Sequence, residues 1–269
     1  MAKKFAVLGK PIEHSKSPII HIAAYEKLGL DWTYERFELA EANLRGFIEQ
    51  TDFEGFSLTM PLKDKAFELY GSNDQSALRA HAVNTMYRVA GVWETYNTDV
   101  FGLVSALRGI SFEEVAILGS GATARNALIA IGELNRDARA TILARNAEKA
   151  FELVSLANEL GITAEVPTTT SDASAFDLTI STLPPSADAL RFLAGEPSGT
   201  LLDVAYSPWP SSLASHWLAS GGNVISGIEM LIWQAIAQIR IFVNGSVAEP
   251  LENEQELAMV MRNASLAEG

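Results

Sequence analysis

Residues 115–134 read VAILGSGATARNALIAIGEL. This segment predicts a buried strand, a glycine-rich turn and a long helix with an apolar face. The turn GSGATA (119–124) has the Gly-x-Gly-x-x-Ala form, in which Gly119 permits the tight turn and Gly121 lets the backbone approach a pyrophosphate. Ala124 keeps the helix close to the sheet, and the helix N-terminus faces the anion. A purely structural strand–helix turn is the alternative, because short glycine motifs recur by chance.

Strand-like and helix-like patterns alternate on both sides of this turn. Ahead of it, the patterns predict strands over 5–9, 32–39 and 55–60, with helices over 17–30 and 42–51. Beyond it, they predict a helix over 146–161 and strands over 140–145, 177–184, 200–206 and 222–227. From 227 onward the pattern is helical, and the simplest assembly returns this part to the first domain. The alternation predicts an α/β fold with a largely parallel, doubly wound sheet.

Composition excludes several classes of protein. The 269 residues, 48% of them hydrophobic, predict one large domain or two modest ones. The chain has 20 Lys and Arg against 33 Asp and Glu, a net charge of −13, which argues against nucleic-acid partners and anionic membranes. It has no cysteine, and therefore no disulfide, thiolate metal site or thiol nucleophile. The apolar run near the N-terminus is too short for a signal peptide, and nothing approaches the length of a membrane span, so we expect a soluble, cytoplasmic protein.

The end of the predicted second strand of this doubly wound unit, ILARNAEK (142–149), bears on the choice of cofactor. NAD sites usually place an acidic residue there for the ribose 2′-hydroxyl, whereas NADP sites use arginine. Here Arg145 and Lys149 supply two cations and no acid stands at the strand tip, which favours NADP. Two alternatives stay open: Arg145 is an ordinary surface arginine, or Asn146 binds the free ribose hydroxyl of NAD.

Polar side chains gather at the predicted strand ends of the first domain. They lie in PIEHSKSP (11–18), SLTMPLK (57–63), AVNT (82–85) and YNTD (96–99). In an open α/β sheet, ligands bind beyond the carboxyl ends of the strands, so these groups suit a small polyhydroxylated substrate. Structural alternatives remain, in which Lys63 is a solvated lysine, Ser17 an N-cap of the following helix and Asp99 a helix cap.

Other catalytic motifs are absent from the sequence. The four histidines lack metal-ligand spacing, which predicts no metal site. There is no Gly-x-Ser-x-Gly elbow and no Gly-Lys-Ser/Thr loop, which argues against an α/β-hydrolase and a P-loop nucleotidase.

These motifs resemble those of the shikimate dehydrogenase family, and they occur in the same order along almost the whole chain. Its signatures are matched by PIEHSKSP (11–18), SLTMPLK (57–63), HAVNT (81–85), YNTDVFG (96–102), GSGATA (119–124), ARN (144–146), DVAYSPWPSSL (203–213) and GIEMLIWQA (227–235). The sequence departs from the family pattern at several positions, among them Ser181-Thr182-Leu183-Pro184, which stands where Asn-Ala-Thr-Pro is common. Ser57 replaces Asn, His81 and Tyr96 each replace Gly, and Ala144 and Asn146 replace the Asn and Thr of the phosphate clamp.

The resemblance implies a role for each matching residue. Lys63 and Asp99 would be the catalytic pair at the hydroxyl or ketone. The substrate would be bound by Ser15 and Ser17 at its carboxylate, by Thr59, Asn84 and Gln234 at its ring hydroxyls, and by Tyr206 closing the pocket near the carboxylate. The cofactor would be bound by Gly119, Ser120, Gly121, Ala122, Thr123, Ala124, Ala144, Arg145, Asn146, Lys149, Thr182, Leu183 and Gly227.

The resemblance also implies an architecture and a reaction. Residues 1–99 and 230–269 would form an N-terminal α/β substrate domain, and residues 100–229 an inserted Rossmann-type NADP-binding domain. The enzyme would reduce 3-dehydroshikimate reversibly to shikimate with NADP, in the chorismate route to aromatic amino acids. The alternatives are a relative that prefers quinate and NAD, and a non-catalytic sensor of nucleotide or metabolite. A monomer and a homodimer both stay open.

Overall fold

A five-stranded mixed sheet organises the first part of the chain, in a computed structural model that describes residues 2–267. Its strand order is β2-β1-β3-β4-β5. The strands are β1 (Lys4–Gly9), β2 (Thr33–Glu38), β3 (Gly55–Leu58), β4 (Thr85–Val89) and β5 (Val92–Tyr96). β1 pairs in parallel with β2 and β3, whereas β4 is antiparallel to β3 and to β5. The start of β4 therefore lies at the same edge of the sheet as the end of β3.

Several helices accompany this first sheet along the chain. They are α1 (Ser17–Lys27), α2 (Leu44–Gln50), α3 (Leu62–Tyr70), α4 (Gln75–Ala80), α5 (Asp99–Ala106), α9 (Gly227–Asn244) and α10 (Glu254–Leu266). The ring of Phe5 on β1 stacks on Phe242 of α9 with centroids 4.3 Å apart, which ties the late helix to the first strand. Residues late in the chain therefore pack directly on the first strand.

A six-stranded sheet forms the second part, and every one of its strand pairs is parallel. Its order is β13-β12-β10-β6-β7-β8. The strands are β6 (Glu114–Leu118), β7 (Arg139–Leu143), β8 (Thr163–Glu165), β10 (Leu178–Ser181), β12 (Thr200–Asp203) and β13 (Asn223–Ser226). The accompanying helices are α6 (Ala122–Leu134), α7 (Ala147–Leu160) and α8 (Ser212–Ala219), and a small separate pair is formed by β9 (Ser171–Asp172) and β11 (Leu193–Ala194). The predicted α/β class and parallel, Rossmann-type sheet are confirmed.

The chain divides into two compact units. One contains the residues up to Gly102 and those from Leu231 onward, and the other spans Leu103–Met230. The assignment of substrate to the first unit and of NADP to the second stays a prediction.

The segment between Leu62 and Tyr96 is the part of the first unit for which the sequence patterns predicted no element. It contains α3, α4 and the β4–β5 hairpin. The hairpin turns through Ala90 and Gly91, both with positive φ (49° and 84°), as a tight two-residue turn of type I′ requires. Alanine at the first position hides this turn, because the usual sequence signal is Asn-Gly or Asp-Gly.

Within residues 2–267, no helix is long and apolar enough to cross a membrane. No group of three or more His, Asp or Glu side chains in that range is arranged to hold a metal ion.

Candidate active site

Lys63 and Asp99 form an ion pair in the first unit. Lys63 lies in the first turn of α3 and Asp99 begins α5. Lys63 Nζ lies 2.5 Å from Asp99 Oδ2, and the two side chains are only 14% and 4% exposed. The pair is therefore shielded from bulk water, where a proton donor can act on a bound ligand without competition from solvent.

Asn84 fixes the other oxygen of Asp99. Its Nδ2 donates to Asp99 Oδ1 at 2.8 Å, while its Oδ1 accepts from the main-chain N–H of Thr98, also at 2.8 Å. Asn84 is 1% exposed. It directly precedes β4, so the expectation that each polar segment follows a strand is wrong for this residue. The antiparallel direction of β4 brings Asn84 to the site instead.

Gln234 contacts this group, and Thr59 lies at the end of β3. Gln234 on α9 is 7% exposed, and its Oε1 accepts from Asn84 Nδ2 at 3.4 Å. Thr59 follows β3, and its N–H donates to the carbonyl of Leu8 at 2.9 Å. A Cβ atom on Gly9 would lie 2.3 Å from Thr59 Cγ2, so glycine at that position makes room for the threonine.

Ser15 and Ser17 form one local turn. Ser15 Oγ accepts from the Ser17 N–H at 3.3 Å. The interpretation of Ser17 as an N-cap is wrong: Lys16 occupies the N-cap position of α1 without a side-chain cap, and Ser17 is the first helical residue. Ser17 is 5% exposed, and its carbonyl accepts from His21 Nδ1–H at 2.8 Å. His21 thus holds the first turn of the helix that carries the serine.

Ser15 also lines a cavity of about 310 Å³, together with Pro18, Ile19, Tyr34, Glu35 and Arg36. Arg36, on β2, donates to the carbonyl of Glu13 at 2.7 Å. Sequence reasoning missed this cation beside the serine turn. No local motif could have revealed it, since β2 and the serine turn are brought together only by the parallel pairing of β1 with β2.

The glycine turn of the second unit has the predicted geometry. Gly119 has φ +112°, and a Cβ atom there would lie 2.3 Å from Thr182 Oγ1. Gly121 is the N-cap of α6, and no heavy atom lies within 4 Å of the position that its Cβ would take. Ala124 is fully buried. A group that approaches the start of α6 therefore meets open space, glycine backbone and the positive end of a helix.

Of the two predicted cations, Arg145 follows the end of β7 and Lys149 lies in the first turn of α7. Within residues 2–267, Arg145 makes no hydrogen bond or ion pair, and it is exposed. Asn146 Oδ1 accepts from the main-chain N–H of Lys149 at 3.0 Å and so caps α7. This cap accounts for asparagine at 146, and it engages the amide oxygen that would otherwise face a ribose hydroxyl.

Other predicted cofactor residues have structural explanations in the second unit. A Cβ atom on Gly227 would lie 2.2 Å from the carbonyl oxygen of Val204, so only glycine fits there. Thr182 Oγ1 donates to the carbonyl of Leu118 at 2.8 Å. Ser120, Ala122, Thr123, Ala144 and Leu183 are half-buried, and so is Tyr206, which was predicted to bind the substrate.

Comparisons with known proteins agree with this architecture. The family model for the shikimate dehydrogenase substrate binding domain matches residues 7–86. The shikimate dehydrogenase (NADP(+)) of Staphylococcus aureus strain Newman is 30% identical over 260 residues, which cover 90% of this chain and 92% of that protein.

Solved structures are similar over nearly the whole chain. The shikimate dehydrogenase of Mycobacterium tuberculosis is 34% identical, with a TM-score of 0.83, over 99% of this chain and 100% of that one. The shikimate 5-dehydrogenase of Thermus thermophilus, solved in complex with NADP(H) and shikimate, is 27% identical, with a TM-score of 0.81, over 97% and 99%. With a family-model match, a relative at 30% identity and full-length structural neighbours, the chain belongs to the shikimate dehydrogenase family.

Proposed function

We propose that the chain is an NADP-dependent shikimate dehydrogenase that interconverts 3-dehydroshikimate and shikimate, with Lys63 and Asp99 as its catalytic pair. Membership of the family supports the reaction, and the relatives' names and the NADP(H)–shikimate complex of the Thermus thermophilus protein support the cofactor and substrate. The observation that carries the proposal is the shielded contact of 2.5 Å between Lys63 Nζ and Asp99 Oδ2.

NADPH, when bound, supplies the hydride for the carbonyl carbon. As the carbonyl oxygen gains negative charge, the Lys63 ammonium donates a proton to it, and the product is a hydroxyl. In the reverse direction, neutral Lys63 accepts the hydroxyl proton. Asp99 keeps the Nζ atom in one place, so that one of its three N–H bonds can point to the substrate oxygen.

Ser15 and Ser17 would receive the substrate carboxylate, and Thr59, Asn84 and Gln234 its ring hydroxyls. Two hydroxyls at the start of α1 offer O–H donors at the positive end of a helix, which favours an anion. Asn84 Nδ2 lies within hydrogen-bonding distance of both Asp99 Oδ1 and Gln234 Oε1.

The second unit would bind NADP. The open backbone at Gly121 fits a pyrophosphate, and the exposed guanidinium of Arg145 fits a 2′-phosphate, to which it can donate two parallel hydrogen bonds. The cap that Asn146 makes with the Lys149 N–H argues against the alternative in which Asn146 binds the ribose of NAD.

The test compares two lysines of one helix. Lys63→Ala should lower kcat by about 10²-fold or more with a small change in KM, because proton transfer acts in the transition state. Lys65→Ala is the matched control, since Lys65 lies on the same helix and pairs with Glu68 instead of Asp99. Asp99→Asn should lose activity and stay folded. Near-normal kcat with weak binding in Lys63→Ala would make Lys63 a binding residue instead.

Initial rates with shikimate and quinate, each with NADP and NAD, separate the proposal from its rivals. The proposal expects the highest kcat/KM for shikimate with NADP. Faster turnover of quinate with NAD would favour the quinate-type relative. Binding of both ligands without turnover would favour a sensor, although a sensor has no need of a shielded Lys63–Asp99 pair.

A further inference from the structure

A chain of buried polar side chains runs through the first unit and ends at Asp99. Tyr34 Oη lies 2.5 Å from Ser57 Oγ, and Ser57 Oγ lies 2.9 Å from Gln238 Oε1. Gln238 Nε2 lies 3.0 Å from Thr85 Oγ1, which lies 2.8 Å from Asn84 Oδ1. All five side chains are at most 5% exposed. Water is therefore excluded from a polar path that links β2, β3, α9 and β4.

One main-chain donor sets the direction of every hydrogen bond in this chain. The Thr98 N–H can only donate, so the atom of Asn84 that it meets is Oδ1 and the atom that faces Asp99 is Nδ2. Thr85 must then donate its hydroxyl hydrogen to Asn84 Oδ1 and accept from Gln238 Nε2.

The directions of the hydrogen bonds at the Tyr34 end follow in the same way. With Nε2 of Gln238 facing Thr85, its Oε1 accepts from the hydroxyl of Ser57, whose oxygen accepts from Tyr34. Burial raises the pKa of Tyr34, so its hydroxyl stays protonated and donates. Each hydrogen thus points toward Asp99, and hydrogen bonds aligned in one direction strengthen one another in a low dielectric.

We propose that Tyr34, Ser57, Gln238 and Thr85 form a positioning network that locks the carboxamide of Asn84, and through it Asp99 against Lys63. This inference rests on the proposed function, because it gives the network a part in the chemistry of the Lys63–Asp99 pair. Without the Thr85 donor, Asn84 Oδ1 keeps the Thr98 N–H and the longer contact of 3.3 Å with the Thr98 hydroxyl, but it loses the Thr85 hydroxyl at 2.8 Å. The carboxamide can then rotate away from Asp99, and Lys63 Nζ loses its fixed direction.

Buried polar groups also pair simply to avoid an unsatisfied core, so stability alone does not test the proposal. Thr85→Val removes the hydroxyl and keeps the shape of the side chain, whereas Thr85→Ser keeps the hydroxyl. Thr95→Val is the matched control: Thr95 is 6% exposed on the neighbouring strand β5, and its hydroxyl donates to the carbonyl of Gly71, outside the network.

The measurements are kcat, KM for shikimate, the solvent deuterium isotope effect on kcat, and the melting temperature. Thr85→Val should lower kcat about tenfold, the factor expected for one lost hydrogen bond, and change KM less than about twofold. Its isotope effect should rise, because the proton transfer becomes slower. Thr85→Ser should restore most of kcat. Thr95→Val should lower the melting temperature by a similar amount and leave kcat and the isotope effect unchanged.

Ser57→Ala provides a second variant if Thr85→Val does not fold. It removes the hydroxyl that donates to Gln238. It should lower kcat by a smaller factor than Thr85→Val and raise the isotope effect in the same way. The inference is overturned if Thr85→Val or Ser57→Ala matches Thr95→Val in kcat and isotope effect. Asp99→Asn, measured in the same series, separates the two proposals. An active Asp99→Asn variant refutes the catalytic pair, whereas an inactive one beside an unaffected Thr85→Val variant refutes the positioning network alone.

Discussion

His21 should make the stability of the first unit depend on pH. It is fully buried on α1, donates from Nδ1 to the Ser17 carbonyl at 2.8 Å, and stacks on Tyr34 with ring centroids 4.0 Å apart. Burial lowers the pKa of His21 to about 4, against the weaker opposing effects of the Ser17 carbonyl and the Gln238 side chain. The unfolded chain exposes the same imidazole, which then titrates near a pKa of about 6.5.

The size of the effect follows from these two values. Well above about pH 6.5 the imidazole is neutral in the folded and the unfolded state, so His21 does not make the free energy of unfolding depend on pH there. As the pH falls from there to about 4, the unfolded state binds a proton that the folded state does not bind, so the free energy of unfolding decreases. At about 1.36 kcal/mol per pH unit, the total loss is about 3 kcal/mol, and about 2 kcal/mol of it is present at about pH 5.

The assay is urea unfolding at several pH values between about 7.5 and 5, for the wild type and for His21→Phe. Phenylalanine fills the space and keeps the stack on Tyr34 but cannot titrate. Its absolute stability will differ, because the Ser17 carbonyl loses a donor. Over this pH range, the free energy of unfolding of His21→Phe should nevertheless fall by about 2 kcal/mol less than that of the wild type.

His14→Gln is the matched control, because His14 is exposed and its imidazole is solvated in both states. Its unfolding free energies should follow those of the wild type at every pH. Parallel curves for the wild type and His21→Phe would refute the reasoning, since they would mean that His21 takes up its proton equally in the folded and unfolded chain.

Two further predictions concern the cofactor and the hairpin. Arg145→Ala should lower kcat/KM for NADP about 10- to 100-fold, because it removes a charge-assisted bidentate contact, and it should leave kcat/KM for NAD almost unchanged. The control is Arg136→Ala, which removes an exposed arginine beyond the other end of α6 and should change neither value. Equal losses with both cofactors would exclude recognition of the 2′-phosphate by Arg145. Ala90→Asn should raise the free energy of unfolding by about 0.5–1 kcal/mol, because asparagine tolerates the positive φ of this turn better than alanine; a drop in thermal denaturation midpoint would contradict that account.

Local sequence patterns predicted the structure where the interacting residues are close together in the sequence. The glycine turn at 119–124 joins a strand to a helix, and both of its flanking periodicities are visible in the sequence. The Lys63–Asp99 pair was predicted from family motifs, and its two members are in contact. The hairpin before Tyr96 was missed, because Ala90 gives no turn signal. Arg36 was missed, because its proximity to Ser15 depends on strand pairing rather than on spacing along the chain.

Two departures from the family pattern have local explanations in the structure. His81 occupies a left-handed position (φ 48°, ψ 41°) at the end of α4, where glycine is the favourable residue. Its ring stacks on Phe67 with centroids 5.3 Å apart, a contact that glycine cannot make and that offsets the backbone strain. Tyr96, also in place of glycine, donates its hydroxyl to Glu94 at 2.5 Å. Both substitutions add side-chain contacts at the rim of the first unit.

Ser57, in place of the family's asparagine, differs from these because its contacts are distant in sequence and buried. Its hydroxyl accepts from Tyr34 and donates to Gln238, a residue 181 positions away. Asparagine at 57 would bring a longer side chain with two N–H donors into a space where one acceptor and one donor are already matched. It would leave either the Tyr34 hydroxyl or an amide hydrogen without a partner, at a cost of about 1–3 kcal/mol. The identities of residues 34, 57 and 238 are therefore coupled, and a change at one of them should cost less stability with a compensating change at another.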